Sequence, residues 1–276
     1  PENLNSPKNI IMIVGDGMGP SYTTAYRMFA DDPATPEVEE TVFDRLLVGM
    51  ASTHPDMDTG YVTDSAASAT ALSTGFKTYN GAIGVDANKK PVQTVLELAK
   101  EQGRKTGVAV TSQINHATPA SFGAHNESRQ NYDEIADSYF DEKTNGQFIL
   151  DVMLGGGWKY FIREDRNLVE EFKAAGYQYV DQLSQLDTVK AGTPLLGLFA
   201  DSGMPWALDS TNQMRLPTLA KAAIRQLEND QGYFLLIEAS QVDWAGHGND
   251  IGSAMAEMHD LAVTLEWLEQ YLQWII

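Results

Sequence analysis

The sequence contains no cysteine among its 276 residues. A chain without thiols forms no disulfide, binds no zinc through thiolates and has no cysteine nucleophile. Any metal site or nucleophile must therefore be built from other side chains. The absence of cysteine does not indicate a redox compartment.

Positive charge is also scarce, with 19 lysines and arginines against 38 aspartates and glutamates and a net charge of −19. This balance argues against nucleic acids and anionic membranes as partners, because both repel an acidic surface. No apolar run in the sequence reaches the length of a membrane-spanning helix. Residues 1–5 include neither methionine nor a signal peptide, which indicates a processed or trimmed end.

The rest of the sequence alternates between predicted strands and helices. Apolar runs of strand length occupy 9–14, 46–53, 106–111, 149–154, 195–200 and 233–237. Helices are predicted over 21–29, 92–100, 131–140, 166–175, 217–229 and 251–273, together with one that begins near Ser65. This alternation is typical of an α/β fold of three αβα layers, in which helices cover both faces of a mainly parallel sheet. Without a repeat or a linker, a single domain over residues 1–276 is favoured.

The helix that begins near Ser65 carries the first candidate for chemistry. Small residues follow Asp64 and Ser65 without a breaker, and either of the two is a natural N-cap. A helix N-terminus favours an anion, so a serine there could attack a phosphorus or carbonyl centre if its pKa is lowered. The alternative is that Ser65 only caps the helix.

Oxygen ligands follow three of the predicted strands, at the edge of the sheet where ligands bind. Asp16 follows the strand at 9–14, Glu238 follows 233–237, and Thr118 comes shortly after 106–111. Two carboxylates brought together repel each other, and a bound cation commonly offsets this repulsion. The alternative for each carboxylate alone is a turn or cap.

Asp243 and His247 are four residues apart, which places them on one face of a helical turn close to Glu238. Carboxylate and imidazole groups are suitable zinc ligands, although such a pair is more often a surface hydrogen bond. Arg129 could hold a phosphate in a bidentate manner if it lies among these anions, and is otherwise a solvated loop residue. The dinucleotide, P-loop and nucleophile-elbow motifs are absent from the sequence.

Five segments of the sequence resemble motifs of the bacterial alkaline phosphatases. They occur in the order of that family and extend from about residue 8 to about residue 270. The segments are Gly15–Gly19, Val62–Thr70, Lys77–Gly81, His116–Ala120 and Glu238–His247. The resemblance implies an alkaline phosphatase-like fold and metal-dependent hydrolysis of small phosphate monoesters.

The resemblance also implies roles for particular residues. Ser65 would be the nucleophile that becomes phosphoserine, and Arg129 would hold two phosphate oxygens. His116 and Trp244 would tune the magnesium shell and the phosphate contact. Two zinc ions and one magnesium ion are expected. Their implied ligands are Asp16, Ser65, Thr118, Glu238, Asp243 and His247.

One part of the family pattern is not found. In the family, a strand after the long helix delivers an adjacent Asp-His pair to the zinc that holds the serine, and a later histidine completes the other zinc. The sequence ends at Ile276, in an apolar stretch over 273–276 that predicts the opening of that strand. We therefore expect a partial copy of a longer protein; a short form with weak metal affinity is the alternative.

Periplasmic or secreted localisation and a possible homodimer are further expectations from the resemblance.

The sequence also allows other interpretations of its function. The chain could bind phosphate or metal without turnover, or act as a sulfatase or phosphomutase of the same superfamily. An acyl-transfer hydrolase that uses Ser65 and His116 is another option, and it predicts activity that survives chelation.

Overall fold

The computed structural model describes residues 7–210 and 214–273. A six-stranded sheet runs through the described part of the chain. Its strands are β1 (Ile10–Gly15), β2 (Lys105–Gln113), β5 (Val152–Gly156), β6 (Gln178–Val180), β7 (Leu195–Leu198) and β8 (Tyr233–Ala239). They lie in the order β1-β8-β2-β5-β7-β6, and every pairing is parallel. A two-stranded hairpin is formed by β3 (Lys143–Thr144) and β4 (Gln147–Phe148).

Helices connect these strands and lie on both faces of the sheet. They are α1 (Pro20–Ala30), α2 (Val42–Arg45), α3 (Ser65–Thr74), α4 (Val95–Glu101), α5 (Ala117–Gly123), α6 (Tyr132–Asp141), α7 (Trp158–Phe161), α8 (Leu168–Ala174), α9 (Arg215–Leu227), α10 (Gln241–His247) and α11 (Ile251–Gln273). Short 3-10 helices occupy Met57–Thr59 and Leu183–Thr188. The predicted three-layer αβα fold is therefore confirmed. Among the helices described, none is both long and apolar enough to cross a membrane.

The core divides into one cluster on each face of the sheet. On one face, α9 and α11 pack against alternate residues of the strands, including Ala109 and Leu235. On the other face, α4 and α5 cover the intervening residues, including Val108 and Leu236. This explains why the central strands are continuous apolar runs, since both faces of each strand are buried.

Strand β8 lies between β1 and β2, and this order assembles the rim where polar side chains gather. Glu238 pairs in register with Val14 of β1 and with Val110 of β2. Asp16 follows directly after β1, and its amide donates to the carbonyl of Ala239 at 3.3 Å. The parallel register therefore delivers the carboxylates of Asp16 and Glu238 to the same edge of the sheet.

The predicted strand at 46–53 is wrong. This segment lies outside the six-stranded sheet, and its apolar side chains are exposed, with Val48 at 101% and Met50 at 87%. An apolar run becomes a strand only where a neighbouring strand offers backbone partners, and no described strand pairs with this one. Of the strand opening predicted at 273–276, Gln273 is the last residue of α11, and the other three residues lie outside the described part of the chain.

Candidate active site

A cavity of about 570 Å³ opens at the rim, between the end of β1 and the N-termini of α3 and α10. Six of the residues singled out in the sequence line it, namely Asp16, Ser65, Thr118, Arg129, Asp243 and His247. Glu238 and His116 lie behind this lining and contact Thr118 and Arg129, respectively, while Trp244 packs against His116. The structure therefore gathers the predicted residues around one cavity.

Ser65 is the first residue of α3, and its hydroxyl contacts a carboxylate in the cavity. Asp64 caps the helix by accepting a hydrogen bond from the amide of Ala67 at 2.9 Å. The Ser65 hydroxyl is 3.0 Å from Oδ1 and 3.0 Å from Oδ2 of Asp16, to which it donates. The cap function belongs to Asp64, so the hydroxyl of Ser65 is available for another task.

Asp16 and Glu238 are carboxylates in an environment that disfavours their charge. Burial, and then the negative charge of Asp243, raise the pKa of Asp16 to about 6. Burial, and then the charge of Asp16, raise the pKa of Glu238 to about 8, against the weaker effect of hydrogen bonds from Ser240 and Thr118. The rim therefore brings together carboxylates whose ionised forms are disfavoured by burial and by one another.

Asp243 and His247 lie one turn apart on α10, as their spacing predicts. Nε2 of His247 is 3.4 Å from Oδ2 of Asp243, and the imidazole is 81% exposed. Gly17 allows Asp243 to approach the loop after β1, because its φ is +65° and a Cβ there would lie 2.6 Å from Oδ1 of Asp243. A glycine is required at this position by both the backbone conformation and the close approach.

Arg129 reaches into the cavity from the loop that precedes α6 and is held by two neighbours. Its Nη1 donates to Oδ2 of Asp64 at 3.1 Å, and its Nη2 donates to Nε2 of His116 at 3.1 Å. Each of these nitrogens keeps a second N–H, because a guanidinium has five donors. The side chain is thus fixed in place while retaining donors for an anion.

His116 is a neutral partner for this arginine. Burial, and then the charge of Arg129, lower the pKa of His116 to about 3. The Trp244 ring meets the imidazole edge-on, with 5.6 Å between the ring centroids. His116 therefore backs Arg129 as a neutral acceptor, and Trp244 packs against His116.

Sequence reasoning missed Asp64 as the partner of Arg129, because it treated that residue only as a helix cap. It also missed Ser240, whose hydroxyl donates to Oε2 of Glu238 at 2.6 Å. A signal for Ser240 was present, since it lies two residues after Glu238 at the strand end. The contact of Asp64 with Arg129 joins residues 65 positions apart and has no local signal.

Side chains with oxygen and nitrogen atoms that divalent cations prefer as ligands lie at this rim. Within residues 7–210 and 214–273, no three His, Asp or Glu side chains are arranged as a metal-ligand group. Oε1 of Glu238 is nevertheless buried without a hydrogen-bond partner in that same part of the chain. A lone pair in this condition, beside Asp16 and Asp243, is suited to a hard cation. The residues present fit part of a metal site.

Comparisons with known proteins find similarity to alkaline phosphatases. A model of the family described as alkaline phosphatase matches residues 7–273. Alkaline phosphatase 3 of Bacillus subtilis is 53% identical over 260 residues, which cover 94% of this chain and 56% of that protein. The chain thus spans little more than half the length of this curated relative.

Solved structures give the same result. The cold-active alkaline phosphatase of a psychrophilic Shewanella superposes with a TM-score of 0.90 at 54% identity, over 96% of this chain and 64% of that one. A variant of the alkaline phosphatase of the Antarctic bacterium TAB5, with Mg bound in its M3 site, gives a TM-score of 0.84 at 30% identity. That match covers 97% of this chain and 74% of the other.

Proposed function

The chain belongs to the alkaline phosphatase family, and from that premise we propose that it hydrolyses phosphate monoesters through a phosphoserine formed on Ser65. The observation that carries this proposal is the contact of the Ser65 hydroxyl with both oxygens of Asp16, in the cavity that also holds Arg129. A serine, its hydrogen-bond acceptor and a guanidinium in one cavity are the parts that phosphoryl transfer to a hydroxyl needs.

In the first step, the oxygen of Ser65 attacks phosphorus and the bond from phosphorus to the ester oxygen breaks. Asp16 accepts the hydrogen bond of the hydroxyl and thereby orients its lone pairs toward the cavity. The hydroxyl proton passes to Asp16 as the new bond forms, and from there through solvent to the departing alcohol oxygen. In the second step, water attacks phosphorus and the bond from phosphorus to the Ser65 oxygen breaks. That oxygen takes a proton from the attacking water as inorganic phosphate leaves.

Charge on the three equatorial phosphate oxygens is met by this chain in two ways. Arg129 offers the second N–H of each Nη, with its plane fixed by Asp64 and His116. Ser65 also stands at the N-terminus of α3, where the helix dipole favours negative charge. Both groups are in position before substrate binds, which avoids reorganisation during the reaction.

We propose that two zinc ions and one magnesium ion bind at this rim. Asp16, Ser65, Thr118 and Glu238 would hold cations on one side, and Asp243 with His247 on the other. Bound divalent cations would supply charge stabilisation for the attacking and departing oxygens. The clustering of carboxylates whose pKa values are raised by burial and mutual repulsion supports this part of the proposal.

The acyl-transfer alternative receives no support from the hydrogen bonds. Ser65 donates to Asp16, whereas Nε2 of His116 accepts from Arg129.

We further propose small phosphate monoesters as substrates and a periplasmic or secreted location, in line with the family. The homodimer stays a prediction, which light scattering of the purified chain tests.

The test is phosphate release from an aryl phosphate by the 276-residue chain at alkaline pH with zinc and magnesium. We expect release that is abolished by a chelator and by Ser65→Ala. Ser138→Ala, a change to a helical serine on α6 whose hydroxyl bonds to Ile135, is the matched control and should keep the activity. Release that survives both chelation and Ser65→Ala would refute the proposal.

A further inference from the structure

The turn at Asn80–Gly81 lies between the segment that carries Ser65 and the loop that carries Arg129. The side chain of Asn80 makes two hydrogen bonds to the segment that carries Ser65. Its Nδ2 donates to the carbonyl of Val62 at 2.9 Å, and its Oδ1 accepts from the amide of Asp64 at 3.0 Å. One side chain thus bridges the backbone directly before the nucleophile.

The next residue holds the arginine loop. The carbonyl of Gly81 accepts a hydrogen bond from the amide of Arg129 at 2.7 Å. Two further contacts fasten the same segments together. The hydroxyl of Tyr79 donates to the carbonyl of Glu127 at 2.7 Å, and Ile83 exchanges backbone hydrogen bonds with Asn126 at 3.0 and 2.8 Å.

The shape of this turn depends on Gly81. Its φ is +94°, in the left-handed region that an L side chain rarely adopts. This conformation lets consecutive residues face two different loops, with the Asn80 side chain toward Val62–Asp64 and the Gly81 carbonyl toward Arg129. The turn therefore connects two segments that are distant in sequence.

We propose that the Asn80–Gly81 turn is a positioning element that sets the separation of the Ser65 hydroxyl and the Arg129 guanidinium. This inference rests on the proposed function, because that separation matters only if both groups act on one phosphate. Asn80 itself is a positioning residue that acts through the backbone of Asp64. Orientation is costly to lose, since a misplacement of about 1 Å can reduce a rate by about 100-fold.

The experiment compares Asn80→Ala with Asn88→Ala in the full chain loaded with zinc and magnesium. Asn88 is an exposed asparagine in the neighbouring turn and is the matched control. Because Asn80 is only half-buried, water can replace its amide and the fold should persist. We expect kcat for an aryl phosphate to fall by at least about tenfold in Asn80→Ala and to stay within about twofold in Asn88→Ala, following the cost of lost orientation. A kcat for Asn80→Ala within twofold of the parent overturns the proposal.

A double-mutant cycle with Arg129→Ala separates positioning from a general structural role. If Asn80 sets the distance between Ser65 and Arg129, its loss should cost much less once the guanidinium is gone. We expect the effect of Asn80→Ala on kcat to shrink at least threefold in the Arg129→Ala background, a coupling well above the usual error of additivity. An equal fold-loss in both backgrounds overturns the proposal.

Amide hydrogen exchange distinguishes a failure of this inference from a failure of the proposed function. If the parent chain releases no phosphate, the proposed function is refuted, and hydrogen exchange alone tests whether the turn links the two segments. Asn80→Ala should then accelerate exchange at the amides of both Asp64 and Arg129, while Asn88→Ala leaves both unchanged. Unchanged exchange at Arg129 in Asn80→Ala would show that the turn does not link the two segments and would overturn the inference.

Discussion

The hydroxyl of Ser65 lies at 3.0 Å from each carboxylate oxygen of Asp16, a residue 49 positions earlier in the chain. One residue begins α3 and the other directly follows β1, so the contact is made where the N-terminus of α3 meets the loop after β1. Asp64 performs the capping, which leaves the serine hydroxyl to the cavity.

Removal of Arg129 should weaken phosphate binding while the fold persists. Arg129→Ala deletes a charge-assisted donor pair, so we expect inorganic phosphate to bind about 1.5–3 kcal/mol more weakly, the range for hydrogen bonds to charged groups. Arg129→Lys should recover only part of this loss, because an ammonium lacks the planar fork. Isothermal titration with phosphate measures the change. Arg104→Ala, which alters an arginine bonded to the carbonyls of Pro7 and Lys8, is the control and should bind phosphate like the parent.

Neutralisation of Glu238 should act in opposite directions with and without metal. Glu238 is fully buried beside Asp16, and its Oε1 has no hydrogen-bond partner in the described chain. In a chelator, Glu238→Gln should raise the free energy of unfolding by about 1–3 kcal/mol, because burial and the charge of Asp16 disfavour the ionised carboxylate that the neutral amide replaces. With magnesium present, the variant should gain less stability from the ion than the parent does.

Urea unfolding with and without magnesium measures both effects of this change. Glu101→Gln alters an exposed glutamate at the end of α4 and should change neither quantity. A Glu238→Gln variant that is destabilised in the chelator, and still gains full stability from magnesium, would remove this residue from the proposed cation site.

His125 should make stability depend on pH. Burial alone would lower the pKa of His125, but hydrogen bonding with Glu142 and the charge of Glu97 outweigh it and raise the pKa above its ordinary value. For a histidine whose folded-state pKa is raised, the stabilisation is fully present below the unfolded pKa of about 6.5 and is lost as pH rises through the folded value. We expect His125→Gln to cost about 1 kcal/mol near pH 5.5 and less near pH 8.5, on the scale of a buried hydrogen bond.

The measurement is denaturant unfolding of the parent and His125→Gln at the two pH values. His54→Gln, at an exposed histidine, is the control for the loss of an imidazole. A cost of His125→Gln that grows with pH would contradict the stated direction of the pKa.

Gly17 should be required for the approach of Asp243 as well as for the backbone. Both Gly17 and Gly60 have a positive φ, but a Cβ at Gly17 would lie 2.6 Å from Oδ1 of Asp243, whereas the space around Gly60 is open. Each change to alanine should cost about 1–2 kcal/mol of stability for the left-handed backbone. Only Gly17→Ala should also weaken zinc binding, because it displaces a proposed ligand. Zinc titration that finds equal binding in both variants would contradict this role.

Much of this molecule was predictable from its sequence because the relevant signals are local. The apolar run before Asp16 and the four-residue spacing of Asp243 and His247 each report on one element, and both predictions of local structure are confirmed. The predicted strand at 46–53 failed because strand formation depends on a partner elsewhere in the fold. The hydrogen bond from Arg129 to Asp64 was not predicted for the same physical reason, since the two residues meet only through tertiary packing.

The most direct test of the central claim is covalent capture of the phosphoryl group. The metal-loaded chain is mixed with an aryl phosphate, quenched in acid and digested. The mass of the peptide that contains Ser65 is then measured by mass spectrometry. We predict a mass increase of one phosphoryl group on that peptide, localised to Ser65 and absent from Ser65→Ala. Phosphate release at the parent rate without any phosphorylated Ser65, or with release retained in Ser65→Ala, would contradict the account.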